Sequence, residues 1–195
     1  MNNHSAHDVR TTDSKNQTPA FVPGLFEIEQ LRGLELVNIR GDVRNAAFAS
    51  TMQQSLGIAL LPTPNALACG HTHDALWLAP DEWLLQSRQS PATNLAATLT
   101  TGFEDDFAAA IDVSSAFTVF ELRGTCARRV LQSGCPLDLH PRVFTGQHCA
   151  QSHFFKAGVI VRAAGADSLH VFFRRSFTDY ALEMLLRAWR SVRVL

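Results

Sequence analysis

Apolar and polar positions alternate through residues 34–40 (LELVNIR): Leu34, Leu36 and Asn38 share one face, and Glu35, Val37 and Ile39 the other. Both faces carry apolar groups, which predicts a strand covered on at least one side. The period then turns helical. Gly41 and Asp42 break the strand, Asp42 is a candidate N-cap, and a helix to about Leu56 would bury Ala49, Met52 and Leu56 with Phe48 beside them. Gly57 suits the left-handed position that ends such a helix. Short strands are predicted at 65–70, 74–79 and 82–86, with turns at 71–74 and at Pro80-Asp81. Ser90-Pro91 opens a second helix that carries Leu95 and Leu99 and stops at Gly102.

The second half follows the same plan. Strands at 107–113 and 116–122 are joined by a tight turn at Ser114-Ser115. Gly124-Thr125 opens a helix with Ala127, Val130 and Leu131 inward and Arg128, Arg129 and Gln132 toward water; Gly134 and Pro136 stop it. A polar loop through Asp138, His140-Pro141 and Gly146 leads to strands at 148–155, 158–163 and 168–174. Ser176 would cap a last helix with Asp179 in its first turn and Phe177, Ala181, Met184, Leu185 and Ala188 as its buried stripe.

The Arg40-Gly41 and Arg123-Gly124 pairs mark equivalent strand ends about 83 residues apart, and Gly57-x₄-Pro62 and Gly134-x-Pro136 mark equivalent helix exits. This predicts an α+β fold of two pseudo-repeated β-α-β-β-β-α units, about 30–103 and 107–192, packed as one body with sheets inside and helices outside. Residues 21–195 form that single domain. Residues 1–20 are polar, with almost no large apolar side chain, and read as a flexible tail.

Composition narrows the function classes. The 195 residues are 46% hydrophobic and 18% charged, with a net charge of -1. A near-neutral chain offers no electrostatic case for nucleic acid. No apolar run is long enough for a bilayer span, and the N-terminus lacks the apolar segment of a signal peptide, so a cytoplasmic protein is expected. The four cysteines form no CxxC pair and read as free thiols.

Candidate chemistry is sparse. His71 and His73 could share a strand face as metal ligands, but no third ligand is placed by spacing, and a polar hairpin turn is the better account of them. Adjacent Asp81 and Glu82 would point to opposite faces, which suits a turn cap and not an acid-base pair. There is no G-x-S-x-G elbow, dinucleotide fingerprint or P-loop. No catalytic, cofactor-binding or metal residue is therefore assigned. The candidate partner-interface residues are Trp83, as an aromatic anchor, and the short cationic patches Arg128-Arg129 and Arg174-Arg175.

The run LRGTCARRVLQSGCPLDLHPRVF (122–144), with LAPDEWLLQS (78–87) and AIDVSSAFTVFELRG (110–124), resembles the gamma subunit of heterotetrameric sarcosine oxidase over about residues 25–190. The resemblance implies the fold of the folate-binding domain of aminomethyltransferases. It also implies a non-catalytic accessory subunit of an enzyme that oxidatively demethylates sarcosine, or another N-methyl amine, with one-carbon transfer to tetrahydrofolate and peroxide formation. Flavins, NAD and tetrahydrofolate would then reside in the partner alpha, beta and delta subunits, and none on this chain alone. No catalytic residue is carried over. Cys135, Asp138 and His140 are expected to belong to a structured loop. The alternative is a stand-alone folate-binding protein of the same fold, which requires a pocket between the halves with a carboxylate for the pterin.

Overall fold

The computed structural model describes residues 22–89, 94–103 and 107–193. The 1–20 tail and the Ser90-Pro91 helix start lie outside them. Among the described residues ten strands form two antiparallel sheets of five. The first-half sheet contains β2 (Leu36–Arg40), β3 (Leu67–Cys69), β4 (His73–Ala79), β5 (Glu82–Ser87) and β6 (Ala109–Asp112), in the order β3-β4-β5-β2-β6. The other contains β1 (Glu27–Leu31), β7 (Phe117–Arg123), β8 (Cys149–Phe154), β9 (Ala157–Gly165) and β10 (Ser168–Arg174), in the order β1-β7-β10-β9-β8.

The two orders correspond strand for strand once the second is reversed, with β6 matching β1, β2 matching β7, and β5, β4, β3 matching β10, β9, β8. Helices α1 (Ala46–Leu56) and α2 (Leu95–Gly102) follow β2 and β5, and α3 (Ala127–Gln132) and α4 (Thr178–Arg193) follow β7 and β10. The duplicated plan is therefore present, with one addition. The strand preceding each unit crosses over: β1 pairs with β7 of the second unit, and β6 with β2 of the first. The 3-10 turn Ser114–Ala116 is the point of crossing, so β6 and β7 lie in different sheets and do not form a hairpin. The Ser114 hydroxyl accepts from the Leu36 N–H at 2.9 Å and fixes the turn against the first sheet.

Period-two alternation sends one face of each sheet to its helices and the other to the opposite sheet. Val37, Ile39, Ala75, Trp83 and Leu85 meet Phe48, Met52 and Leu56 of α1 and Leu95 and Leu99 of α2. Phe120, Leu122, Val161, Val171 and Phe173 meet Val130 and Leu131 of α3 and Ala181, Leu185, Ala188 and Trp189 of α4. Between the sheets, Leu36, Leu76 and Leu84 meet Val119, Ile160 and Phe172. The layers run helix, sheet, sheet, helix.

Several local expectations shift. Asn45, not Asp42, caps α1, its side chain accepting from Ala47 and Phe48. Asp42 forms its own turn and an ion pair with Arg44. Ala49 is exposed, and Phe48 takes the buried position. Asn94 caps α2. Ser176 lies in the 3-10 turn Arg175–Phe177 ahead of α4, whose buried stripe runs on to Trp189 and Val192 while Phe177 is exposed. Gly57 adopts the left-handed conformation expected at a helix end. Gly124 has φ +103, and a Cβ there would stand 2.5 Å from the Leu25 carbonyl oxygen, so the entry to α3 requires glycine.

Candidate functional site

The layer between the sheets has an apolar middle and two polar ends. One side of the sandwich is closed where β3 and β8 meet: Leu67 donates to Gln147 O and Cys149 to Asn65 O, both at 2.9 Å. The opposite side ends at β1 and β6.

The first polar end is a cleft of about 490 Å³ between the halves. Leu84, Ile160 and Phe172 line its apolar part, and Ile111 of β6 and Val113 just after it also border it. Its polar groups are Asn38, Arg40, Glu82, Gln151, Ser152 and Arg174. Register explains why they converge: Arg40 stands opposite Glu82 on β5, and Asn38 opposite Leu84 one step further in. Glu82 accepts from Asn38 at 2.7 Å and from Arg40 at 2.6 Å. The carboxylate read as a turn cap is thus a cleft group already bound by two neighbours. Gln151 donates to Leu78 O at 2.7 Å and ties the second unit to the first. The Arg174 guanidinium lies over the Phe117 ring, 4.5 Å from its centroid.

The second polar end is filled. Asp74 on β4 accepts from Arg162 on β9 at 2.7 Å, which joins the two sheets, and from Arg88 through two nitrogens at 2.9 and 2.7 Å. Burial alone would raise the Asp74 pKa; Arg162 and Arg88 outweigh it and hold the carboxyl below its usual value. Arg162 also donates to Gln86 Oε1 at 3.0 Å. That orients the amide, so Gln86 Nε2 donates to His170 Nδ1 at 3.0 Å. An accepting Nδ1 belongs to a neutral imidazole. Burial, with Arg162 behind it, pushes His170 down from 6.5 to about 4 against the opposing pull of Glu121, 4.0 Å away.

A titration follows from this. The unfolded chain takes up a proton on His170 near pH 6.5 and the folded chain only near pH 4, so stability should fall as pH drops through that window. The expected loss is about 2 kcal/mol, measured by urea unfolding at pH 7 and pH 4.5, and His170→Gln should flatten that part of the profile. An unchanged profile in the variant would show that His170 is not the group responsible.

Glu35 and His73 make a separate buried pair. Glu35 accepts from the Leu95 N–H at 2.9 Å and faces His73 Nε2 at 3.2 Å. His71 is exposed in the turn while His73 is buried, so the two do not converge as ligands. Among the described residues no group of three or more metal-donating side chains occurs.

The structure separates the candidate interface residues. Trp83 is 1% exposed, packs in the core and donates to Leu61 O at 3.3 Å, so it is not available as an anchor. Arg128, expected to face water, is 8% exposed. Its guanidinium donates to the carbonyls of Leu139 (2.6 Å), Phe144 (3.0 Å) and Ala166 (3.2 Å) and holds the 134–144 loop onto the second unit. Within that loop Asp138 accepts from the His140 N–H at 2.9 Å. Cys135 is buried in the core beside Leu139. Arg129, Arg174 and Arg175 are exposed.

Sequence reasoning missed Asp74, Gln86, Arg162 and His170. One signal was available: each is a polar residue at an inward-facing position of an otherwise apolar strand, as in GVIVRAAG around Arg162.

The model of the sarcosine oxidase gamma subunit family matches residues 40–189. The chain is 34% identical over 165 residues to sarcosine oxidase subunit gamma of Corynebacterium sp. (strain U-96), covering 84% of this chain and 78% of that one. It is 28% identical over 167 residues to sarcosine oxidase subunit gamma of Corynebacterium sp. (strain P-1), covering 85% and 80%. Among solved structures, a chain of the heterotetrameric sarcosine oxidase from Corynebacterium sp. U-96, in complex with pyrrole 2-carboxylate, superposes with a TM-score of 0.78 at 25% identity over 85% of this chain and 84% of that one. Glycine cleavage system aminomethyltransferase T from Bartonella henselae shares the fold, with a TM-score of 0.63 at 12% identity over 84% of this chain and 46% of that one.

Proposed function

The chain belongs to the sarcosine oxidase gamma subunit family, and from that membership we propose that it is the accessory, assembly-maintaining subunit of a heterotetrameric sarcosine oxidase. The enzyme oxidatively demethylates sarcosine to glycine, passes the one-carbon unit to tetrahydrofolate and forms peroxide. Its flavins, NAD and folate are carried by the alpha, beta and delta partners in the cytoplasm.

The family match over residues 40–189 carries this reading. The inter-sheet layer supports it. Asp74 is bound by Arg88 and Arg162, Gln86 by Arg162 and His170, and Glu82 by Asn38 and Arg40. Asp74 with Arg162, and Gln86 with Arg162 and His170, join the two units, while the Glu82 cluster is held within the first. Groups committed in this way are poorly placed to exchange protons with a substrate.

The test is co-expression of the other subunits with and without this chain. Omission should reduce recovery of the complex and its sarcosine-dependent oxygen uptake. Equal assembly and turnover without the chain would overturn the proposal.

One observation favours a second reading, a folate holder: the cleft between the halves contains a carboxylate, Glu82. Titration calorimetry of the isolated chain with tetrahydrofolate decides it, and absence of binding heat removes it.

A further inference from the structure

Among the described residues two strand edges of the sandwich lie away from the closed β3–β8 side, and they correspond by the internal pseudo-symmetry: β1 and β6. Their sequences differ in kind. β1 reads EIEQL, and Glu29 on it is paired with Arg123. Charges on an edge strand oppose pairing with another chain. β6 reads AAID, its one charge, Asp112, folded back to accept from the Ser114 N–H at 2.8 Å and hydroxyl at 2.6 Å, and it follows Phe107 and Ala108. Phe107 is fully exposed and Ile111 is 59% exposed.

Among the described residues no strand pairs with the outer side of β6, which α2 approaches at Thr100. Val113 N–H donates to Leu36 O at 2.8 Å, so residues 113, 111 and 109 direct their amides toward β2. Residues 110 and 112 therefore direct theirs outward. Among the described residues the Ala110 carbonyl meets the Thr100 hydroxyl alone, at 3.4 Å, and that hydroxyl's proton is already engaged by Ala96 O at 2.8 Å. Ile111 and Val113 border the cleft, so a strand added outside β6 would extend over its mouth. A cation also faces that mouth. Arg174 is exposed, rests on the Phe117 ring, and has no ion pair with any described carboxylate. Arg175 is exposed beside it.

We infer that β6 is the docking edge of this subunit. It takes an extended segment of a partner polypeptide as a sixth strand, with an apolar side chain against Ile111 and Val113 and a carboxylate on Arg174. Main-chain hydrogen bonds would give affinity, and the cleft and arginine would select an apolar segment bearing an acidic residue. The inference rests on the proposed subunit role and adds the surface by which that role is performed.

Hydrogen–deuterium exchange of the peptide covering 107–113 tests it, in the isolated chain and in the assembled complex. Exchange there should slow by roughly tenfold or more on assembly, while the 27–31 peptide of β1 changes little. Unchanged exchange at 107–113 while omission of the chain still abolishes assembly would overturn the inference and leave the subunit role standing. Protection that appears in the isolated chain with rising concentration would indicate a second copy of the chain on β6, and protection on adding tetrahydrofolate alone a small ligand. Either would overturn it. Ala110→Pro removes an outward N–H and leaves the bonds to β2 in place, and should weaken recovery of the complex on the order of tenfold. Arg174→Gln should weaken it at low salt and converge with wild type at high salt; equal recovery of variant and wild type at both would overturn the acidic character of the segment.

Discussion

Arg128→Ala should destabilise the folded chain by about 3–5 kcal/mol, although the residue sits on a short helix beside exposed Arg129. The wild-type guanidinium is buried and donates to the carbonyls of Leu139, Phe144 and Ala166, with Gly165 O at 3.5 Å. Truncation leaves buried acceptors without a donor and opens a void beside Leu139 and Phe144, both core residues. Arg128→Lys keeps the charge but cannot reproduce a planar fork that reaches several oxygens, so an intermediate loss of about 1–3 kcal/mol is expected. Urea unfolding at constant m measures both. A loss under about 1 kcal/mol for the alanine variant would show that the 134–144 loop is held by other contacts.

Asp74→Ala should cost a similar amount, about 3–5 kcal/mol, through a different mechanism. The carboxylate neutralises Arg162, whose side chain is 11% exposed, and without it that guanidinium is a buried, uncompensated cation. The double variant Asp74→Ala with Arg162→Met should therefore lose less than the sum of the single losses, the signature of direct coupling. The pH dependence has a definite sign. The folded carboxyl has a pKa below its reference of 3.8, so its stabilisation is complete above about pH 4 and is lost as pH falls through the lower folded value. The Asp74 variant should lack that acid limb while retaining the His170 transition at higher pH. Additive losses, or an unaltered acid limb, would refute the cross-sheet pair.

Much of the fold was legible because turn residues and alternation are strong local signals. β2 was readable from its period-two run, β4, β5, β8, β9 and β10 from short runs bounded by turn residues, and the duplication from the glycines that end equivalent strands and helices. The errors arise where a local rule admits two answers. Asp42 and Asn45 are both good caps; Asp42 is taken by Arg44, and the first turn of α1 falls to Asn45. The Ser114-Ser115 turn looks like a hairpin from composition, whereas its hydroxyl anchors it to Leu36 and the chain passes to the other sheet. Arg128 illustrates a different gap. Helical spacing places it on the flank of α3, but a loop arriving some ten residues later covers that flank. The polar ends of the inter-sheet layer are joint products of strands from both units, such as Asp74 with Arg162, and no single segment reveals such a pairing.

The crossing of β1 and β6 bears on how the chain acquires its structure. Glu27 on β1 must find Arg123 on β7, and Val37 on β2 must find Asp112 on β6. During synthesis β1 emerges long before its partner exists, and the first-unit sheet lacks its edge strand until the second unit has begun to appear. Neither unit can complete itself first, so folding should be late, cooperative and slow for a chain of this size, because distant loops must close before their contacts reward it. A nascent chain halted after α2 should remain open to proteolysis, and separately expressed halves should each present an unsatisfied sheet edge and aggregate.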